Sequence, residues 1–503
     1  MDHNNLDFVP NFSTRCIKFS STIKSLKFSE EGDQLAIGEE NGNVNVISCD
    51  DLVSVKNKNI AEYISTPTIS FRGHDQELDY LTSQEVTPGI ENIEWLKRCN
   101  DSKLFLTSNK KAIKLWRIKE SNKCIASGRY NFCRDTKSQL FKGKLNLPKI
   151  VPSMPLSRIY KKKTYKRLQH YGINSVSVTQ DQKTFLVSDD LRINLYDLEI
   201  EDDCLNLVDY KTKLKLDDDF ACLIAMKAHT TQSFAFGYVL SNGEIRLADM
   251  RDRRNCDISA KVFPKIQPNS LYRQNVASHF DWAYGISFSN NGRYILARDI
   301  HTLKVWDINN EKEPLALYYV DENLTTSLHV VKDIDRLVDR LTCTWSGDDS
   351  HIITGCFGAS FKAINCITSE ETLIKADCNT GDGIVDYYSE KREFGGEQDL
   401  QCMELDCSEA DFESYRIGTV DWNKKRDIIA TANMGNLIYY MQGCDDDMDY
   451  SYKTAFDSEN DVVQNLSKKL DIDDKDDGVI SIDSLVSILN GSNISIRDSI
   501  STL

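Results

Sequence analysis

The 503-residue chain lacks the segments that direct a protein into or across a membrane. No run approaches the ~18 consecutive apolar residues that span a bilayer. The start, Met1-Asp2-His3-Asn4-Asn5, has no basic region followed by an apolar stretch. These absences predict a soluble intracellular protein without a membrane partner. We expect a cytoplasmic location, with the nucleus as an additional compartment.

The fifteen cysteines show neither a metal-binding pattern nor a disulfide pattern. None of them forms a Cys-x-x-Cys pair. Cys402 and Cys407 are the closest two, and they have no second pair or neighbouring histidine at zinc-ligand spacing. Disulfides are rare in the reducing compartment expected here. We therefore predict free or structural thiols and no metal site built from cysteine.

Sequence signatures of catalysis are also missing. The chain has no Gly-x-Ser-x-Gly elbow, no His-Glu-x-x-His and no phosphate-binding Walker A loop. Its eight histidines never fall at metal-ligand spacing, and the paired carboxylates Asp189 and Asp190 have no nucleophile beside them. An enzyme would need a nucleophile or a metal cluster that we do not find. We predict a protein that is not an enzyme and carries no cofactor.

Charge is distributed unevenly along the chain. The net charge is −16, yet the stretch from Lys123 to Arg167 holds thirteen lysines and arginines against a single acidic residue. An acidic body disfavours a nucleic-acid partner and favours basic partners. The basic run Lys161–Arg167 leaves three interpretations open: a solvated loop, a surface that docks on an acidic partner, and a nuclear-localisation or polyanion patch.

What the chain does contain is a repeated unit of strand, turn and strand. The clearest copy has a turn at Asp189 and Asp190, after which Leu191, Ile193 and Leu195 alternate with polar or aromatic residues. A period of two predicts a half-buried strand that starts from a charged turn. The three apolar residues are therefore expected in the core.

Seven copies of this unit predict an all-β fold, a seven-bladed WD40-type β-propeller. One copy ends in Trp306-Asp307, and the copies begin near residues 24, 93, 173, 223, 285, 341 and 418. A single blade cannot bury both faces of its sheet, so the ring must close, and we expect the N-terminal strand to pair into the last blade. A large β-sandwich, the alternative, does not repeat a strand-end Trp or Tyr at this spacing.

The predicted propeller covers residues 1–442 and contains two insertions. Residues 49–84 alternate in polarity and predict a projecting β-hairpin. Residues 119–168 carry the basic charge and three prolines, which favours an extended inter-blade insertion on the surface. Residues 443–503, with fourteen acidic and five basic residues, are predicted to form an acidic C-terminal tail.

The tail contains a degenerate calcium-binding loop. Asp473, Asp477 and Gly478 fall at positions one, five and six of an EF-hand loop. Lys475 and Ser484 replace the oxygen ligands at positions three and twelve. An acidic or vestigial helix–loop–helix without metal is the default interpretation, and calcium binding at the three matching positions is the alternative.

Six segments, taken in order, resemble one family. These segments are Phe71–Trp95, Leu104–Ile118, Tyr171–Ile200, Gly243–Arg251, Gly292–Asp307 and Val338–Trp345. Over roughly residues 15–442 the chain is similar to the WD-repeat, B-type regulatory subunits of protein phosphatase 2A, as a divergent member. The tail has no counterpart in the family pattern.

The resemblance implies a regulatory subunit of a serine/threonine phosphatase heterotrimer. Such a protein would dock on the HEAT-repeat scaffold of the heterotrimer, beside the catalytic chain, and would recruit phosphoprotein substrates for dephosphorylation. In the family a hairpin arm reaches the scaffold. That arm corresponds here to residues 54–82, and the matching positions are His74, Glu77, Asp79 and Tyr80.

The resemblance also implies a substrate-recognition face at the top of the propeller, which takes basic or helical-motif substrates. The matching positions are Asp189, Asp190, Tyr171, Glu85, Asp339 and Arg340. Carboxylates suit this role because they attract the basic flanks of a phosphorylation site. Gly172, Glu40 and Thr87 depart from the family pattern and put the substrate repertoire in question. The alternative function is a WD-repeat scaffold of a different multiprotein complex, transcriptional or trafficking.

Overall fold

The structure is a computed structural model, and its described part lies between residues 12 and 442. It comprises residues 12–49, 67–79, 83–97, 102–121, 124–127, 149–152, 156–165, 172–201, 203–210, 221–252, 256, 258, 260–265, 283–300, 302–320, 341–356, 360–377, 386–392, 417–426, 428–433 and 436–442. The chain divides into two units, residues 1–443 and residues 444–503. The second unit, with its calcium-loop positions Asp473, Asp477 and Gly478, lies outside the described residues.

The elements defined in these residues are all strands. The first group is β1 (Phe12–Lys18), β2 (Ile23–Phe28), β3 (Gln34–Glu39), β4 (Asn43–Ser48), β5 (Ile69–Arg72), β6 (Glu77–Asp79), β7 (Gln84–Val86) and β8 (Asn92–Trp95). The chain continues with β9 (Ser102–Ser108), β10 (Ile113–Ser121), β11 (Cys124–Ser127), β12 (Lys149–Pro152), β13 (Leu156–Tyr165), β14 (Ser175–Val178), β15 (Thr184–Ser188), β16 (Arg192–Asp197) and β17 (Cys204–Asp209).

The elements defined in the second half of the chain are also strands. It begins with β18 (Leu223–Ala228), β19 (Ala235–Leu240), β20 (Ile245–Asp249), β21 (Lys261–Phe263), β22 (Ala283–Phe288), β23 (Tyr294–Asp299), β24 (Thr302–Asp307) and β25 (Ala316–Tyr319). It ends with β26 (Cys343–Trp345), β27 (His351–Gly355), β28 (Ser360–Asn365), β29 (Glu371–Asp377), β30 (Asp386–Arg392), β31 (Ile417–Trp422), β32 (Ile428–Asn433) and β33 (Asn436–Gln442). In the described part of the chain we find no helix with the length and apolarity of a membrane span.

The strands form antiparallel sheets arranged as a β-propeller. Six sheets have four strands, with the orders β2-β3-β4-β5, β8-β9-β10-β13, β14-β15-β16-β17, β18-β19-β20-β21, β22-β23-β24-β25 and β31-β32-β33-β1. One sheet, β26-β27-β28-β29-β30, has five strands, and the pairs β6-β7 and β11-β12 are two-stranded. The first strands β2, β8, β14, β18, β22, β26 and β31 contact one another in this order, and β31 returns to β2. The predicted all-β propeller is confirmed, with six sheets of four strands.

The N-terminal strand closes the ring, as predicted from the sequence. Strand β1 pairs antiparallel with β33, from Phe12 opposite Gln442 to Lys18 opposite Asn436. This pairing supplies the last sheet with its outer strand and covers an edge of β33 that would otherwise be open to another chain. The first and the last strand of the described chain therefore share one sheet.

The core lies between neighbouring sheets. One cluster joins the first sheet to the last through Ile17, Phe28, Leu35, Ile428 and Leu437, all of which are at most 5% exposed. Because each blade is covered on both faces by its neighbours, strands in the middle of a blade are buried on both sides. All six residues of β3 are buried for this reason.

Residues 191–196 were predicted to form a half-buried strand. This prediction is corrected, because neighbouring blades cover both faces of the strand. Leu191 and Ile193 are buried as expected, and Leu195 packs against their cluster. Tyr196, however, is also buried on the other face, where its ring stacks on Phe185 at 5.3 Å between ring centroids. The register of β16 against β17 also shifts between Ile193 and Asn194, which breaks the simple alternation.

Both predicted insertions are described in part. Within residues 54–82, β5 is the outer strand of the first sheet, and β6 pairs with β7 in a short hairpin. Residues 54–66 and 80–82 lie outside the described residues. Within residues 119–168, β13 pairs with β10 as the outer strand of the second sheet. Of the described strands of the basic insertion, β13 thus belongs to the second sheet, and β11 and β12 form a separate two-stranded pair.

Candidate partner-binding face

The propeller has two ends that differ in the turns they carry. Adjacent strands run in opposite directions, so turns after the second strand of each sheet lie at one end, and turns after the first strand lie at the other. We call the first end the upper face; it includes the turns at 40–42, 109–112, 189–191 and 241–244. The other end, the lower face, includes the turns at 29–33, 179–183, 229–234, 289–293, 346–350 and 423–426.

Asp189 was predicted to take part in substrate recognition, but its side chain lies inside the turn. Its side chain is 1% exposed, and its Oδ1 accepts hydrogen bonds from the backbone N–H groups of Leu191 at 2.9 Å and Arg192 at 2.6 Å. Burial raises the pKa of this carboxyl, against the opposing effect of the two backbone hydrogen bonds. Asp189 therefore shapes the turn, and its carboxylate is not exposed at the upper face.

Asp190 lies beside it and is partly exposed. Its Oδ1 accepts a hydrogen bond from Nδ2 of Asn174 at 2.8 Å, and its backbone carbonyl accepts one from the N–H of Leu223 at 2.8 Å. Asn174 also donates to the carbonyl of Leu223 at 2.9 Å. Asp190 is thus held at the junction of the third and fourth sheets, and no hydrogen bond from a described residue occupies its second oxygen, Oδ2.

Glu85 lies on the hairpin β6-β7, also at the upper face. Its carboxylate is exposed and accepts a hydrogen bond from Nε2 of Gln76 at 3.0 Å. An ion pair of 3.0 Å between Asp79 and Lys111 ties the hairpin to the turn of the second sheet. The backbone carbonyl of Lys110, in the same turn, accepts from the N–H of Ile173. These contacts connect the hairpin, residue by residue, to the strand that begins beside Asn174.

His74 was predicted to contact a scaffold, and the structure gives it an internal position. The ring is 1% exposed, and Nε2 lies 3.0 Å from Oγ1 of Thr107. The same hydroxyl accepts a hydrogen bond from Nε1 of Trp116 at 2.9 Å. His74 thereby fixes the connection between the first two sheets to the interior of the second. A docking role for this side chain conflicts with its burial.

The remaining predicted positions divide into two groups. Glu77 is exposed at the start of β6, whereas Asp79 is only partly exposed because of its ion pair with Lys111. Tyr80, Tyr171, Asp339 and Arg340 lie outside the described residues. Of the predicted recognition residues, the structure therefore describes Asp189, Asp190 and Glu85, and it exposes the last two.

Three contributors were missed at the level of the sequence. Asn174 positions Asp190, although nothing in its local pattern distinguishes it from any polar residue before a strand. Thr107 and Trp116 are different, because a histidine before a sheet, a threonine in its second strand and a tryptophan in its third form a recognisable combination. That combination would have indicated a structural role for His74.

The described residues contain no group of three or more His, Cys, Asp or Glu side chains that could hold a metal ion. Comparison with known proteins gave no matching family model. The chain is 38% identical to the serine/threonine-protein phosphatase 2A regulatory subunit sur-6 of Caenorhabditis elegans over 350 residues, which is 68% of this chain and 69% of that protein. The chain belongs to the B-type regulatory subunit family of protein phosphatase 2A.

Two further members of this family align over more of the chain. The protein phosphatase PP2A 55 kDa regulatory subunit of Drosophila melanogaster is 32% identical over 427 residues, 83% of both chains. The B beta isoform of the 55 kDa regulatory subunit from Carassius auratus is 31% identical over 425 residues, 83% of this chain and 93% of that protein. The family assignment made from six sequence segments is confirmed. As a member of this family, the chain is a non-catalytic regulatory protein, and the alternative of an unrelated WD-repeat scaffold is not favoured.

Proposed function

We propose that the chain assembles with protein phosphatase 2A as a non-catalytic subunit that selects substrates. The observation that carries the proposal is the similarity to phosphatase 2A regulatory subunits over 83% of the chain. The expected partners are the HEAT-repeat scaffold and the catalytic chain of the phosphatase, and the expected substrates are phosphoproteins. No nucleic acid or membrane takes part, and the proposed location is the cytoplasm, with the nucleus in addition.

The propeller of this subunit is proposed to have seven blades. The five-stranded sheet β26–β30 then counts as the sixth blade, with β30 as an additional outer strand. The contacts among the seven first strands support this count, because β26 lies between β22 and β31 in the ring. Residues 443–503 are proposed to form a separate acidic tail.

Substrate recognition is proposed to take place at the upper face, through Asp190 and Glu85. Both carboxylates are accessible, and each is held by one neighbouring amide group, which lowers the conformational entropy that a bound substrate must remove. Tyr171, Asp339 and Arg340 belong to the same proposal on the strength of the resemblance. Basic or helical-motif segments are the expected ligands, because carboxylates accelerate the encounter with positive charge.

Scaffold docking is proposed for the arm at residues 54–82. Glu77 is an exposed residue of the described arm, and Tyr80 is a further position. Asp79 contributes indirectly, because its ion pair with Lys111 orients the hairpin β6-β7. His74 supports the arm from inside the propeller.

Reconstitution with the purified scaffold and catalytic chains tests the assembly. The full chain should form a stoichiometric trimer on size-exclusion chromatography, and a failure to bind the scaffold–catalytic dimer would overturn the proposal. An Asp190→Lys variant should still form the trimer while losing substrates. Asp203→Lys, which changes an exposed aspartate at the opposite end of the third sheet, is the matched control. If Asp190→Lys prevents assembly and Asp203→Lys does not, Asp190 has a structural role instead.

A further inference from the structure

A cavity of about 270 Å³ opens at the lower face. Every first strand of the ring contributes its last residue to the wall, so the cavity lies on the axis of the propeller. These residues are Phe28, Trp95, Val178, Ala228, Phe288, Trp345 and Trp422. Of the residues that the structure describes, none from the upper face, the arm or the predicted sites is part of this wall.

Lysines from separate sheets converge on the cavity. Lys27 is on β2, Lys227 is on β18, and Lys424 follows β31, and all three line the wall. These ammonium groups influence one another electrostatically, because Lys27 and Lys227 both act on the pKa of Lys424. Bringing like charges together in a partly desolvated cavity costs free energy, and an entering anion offsets that cost.

Two of these lysines are held by carboxylates that lie deeper in the protein. Lys27 forms an ion pair of 2.8 Å with Asp421, whose side chain is 4% exposed against 31% for the lysine. Lys227 pairs with Glu94 in the same way, with the carboxylate again the more buried partner. Both members of each pair line the cavity, and the lysine is the more exposed of the two. A lysine has three N–H donors, so each retains donors for a ligand.

Lys424 differs from the other two because it forms no ion pair or hydrogen bond through its ammonium group with a described residue. The residue as a whole is accessible to solvent, yet protein surrounds it closely enough that desolvation is the main cause that lowers its pKa, followed by repulsion from Lys27. The attraction of Asp421 acts in the opposite direction and is smaller. An accessible lysine that has no ion-pair partner among the described residues, beside two paired lysines, is the arrangement expected where a bound molecule supplies a counter-charge.

The walls also suit an organic group attached to that counter-charge. Trp95, Trp345 and Trp422 supply aromatic surface around the lysines. Among the described residues of the lining, the charged ones are four lysines (Lys27, Lys97, Lys227 and Lys424) and three carboxylates (Glu30, Glu94 and Asp421). This modest excess of positive charge matches one small anionic group better than a densely charged polyanion. The volume leaves room for the substituent of a monoester beside its phosphate.

We propose that the axial cavity of the lower face binds a phosphate monoester, with the phosphate held by Lys27, Lys227 and Lys424. Lysine ammonium groups bind phosphate as compact positive charges. The proposal does not depend on assembly with a phosphatase, because every residue involved belongs to this chain alone. The ester can be a phosphorylated side chain of a protein or a small metabolite, and both sources present the same chemistry to the lysines.

Tryptophan fluorescence of the full chain provides the test, because three of its six tryptophans line the cavity. Titration with O-phosphoserine and with an inositol monophosphate should give saturable changes, whereas serine and inositol at equal ionic strength should give none. A phosphoserine peptide that binds more tightly than both assigns the source to a protein segment. Tighter binding of the inositol monophosphate assigns it to a metabolite. No saturable change with any phosphate ester overturns the proposal.

Charge variants at one position separate specific binding from general electrostatics. Lys424→Gln should weaken binding about tenfold, the usual effect of losing one charge-assisted contact. Lys424→Arg should restore most of the affinity. Lys425→Gln is the matched control, because Lys425 is exposed in the same turn and does not line the cavity. Equal weakening by Lys424→Gln and Lys425→Gln overturns the proposal, and circular dichroism confirms that each variant folds.

Discussion

Nδ2 of Asn174 donates a hydrogen bond of 2.8 Å to Oδ1 of Asp190, and both residues lie at the upper end of the third sheet. The same amide nitrogen donates to the carbonyl of Leu223 in β18. Asn174 thus fixes the aspartate to the next blade and leaves its other oxygen directed away from this contact. The family resemblance identifies Asp190 as a recognition residue. It does not identify Asn174, which holds Asp190 in place.

Neutralising Asp190 should slow the capture of basic ligands without disturbing the fold. Asp190→Asn keeps the oxygen that accepts from Asn174 and removes only the charge. We expect association with a lysine-rich phosphopeptide to become roughly threefold to tenfold slower at low salt, with little change at high salt. Surface plasmon resonance across a salt series measures this. Asp203→Asn is the matched control, and equal association rates for the wild type and Asp190→Asn would contradict the prediction.

Removing the imidazole of His74 should destabilise the propeller. His74→Ala deletes a buried ring together with its contact to Thr107, so we expect a loss of about 2–4 kcal/mol in the free energy of unfolding. Urea denaturation followed by tryptophan fluorescence measures this change. Asp75→Ala removes only an exposed ion pair with Arg72 in the same connection and should cost at most about 0.5 kcal/mol. If both variants are equally stable, His74 has no structural role.

Closure of the ring by β1 should contribute substantially to stability. Ile17 is 4% exposed in the cluster that joins the first and last sheets. Ile17→Ala should lower the free energy of unfolding by about 2–4 kcal/mol, because it leaves a cavity at the seam. Lys18→Ala, at the exposed neighbouring position, is the control. Thermal melting would contradict the prediction if the two variants lost stability to the same small extent.

The turn at His229 should make stability depend on pH. Nδ1 of His229 accepts from the backbone N–H groups of Thr231 at 3.2 Å and Gln232 at 3.1 Å, which requires an unprotonated nitrogen. Burial lowers the pKa of this histidine below its usual 6.5, and a hydrogen bond with the backbone of Gly292 opposes the shift to a smaller extent. At mildly acidic pH, His229 therefore binds a proton more readily in the unfolded chain than in the folded chain.

This contribution should be complete above the unfolded pKa of 6.5 and should decline as pH falls through the lower folded pKa. His229→Asn keeps a short acceptor oxygen near the position of Nδ1 but does not titrate. Urea denaturation between about pH 7.5 and pH 5, a range that spans the ordinary histidine pKa of about 6.5, measures the effect. The free energy of unfolding should decline less steeply for the variant than for the wild type. Parallel profiles for the two proteins would rule out His229 as the source.

Local sequence patterns predicted the strands well, since a strand leaves a pattern in every few residues of its own segment. The face of each strand that is exposed to solvent was less predictable. Tyr196 was placed among the outward residues of its strand, but the neighbouring blade covers that face, and a shift in pairing changes the alternation. A one-dimensional pattern does not record which surfaces a second sheet will cover. For the same reason, Asp189 and His74 were assigned to partner contacts although both are buried.

The sequence alone predicts an all-β propeller of the phosphatase 2A B-type regulatory family that is closed by its own N-terminal strand. These predictions rest on the alternation of polar and apolar residues, on repeated motifs and on the order of family-like segments. All three are visible along the linear sequence. The contact of Asn174 with Asp190, and the axial cavity shared by Lys27, Lys227 and Lys424, become visible only in the three-dimensional fold. The members of each set come from separate segments of the chain, and the packing of blades around a closed ring brings them within range of one another.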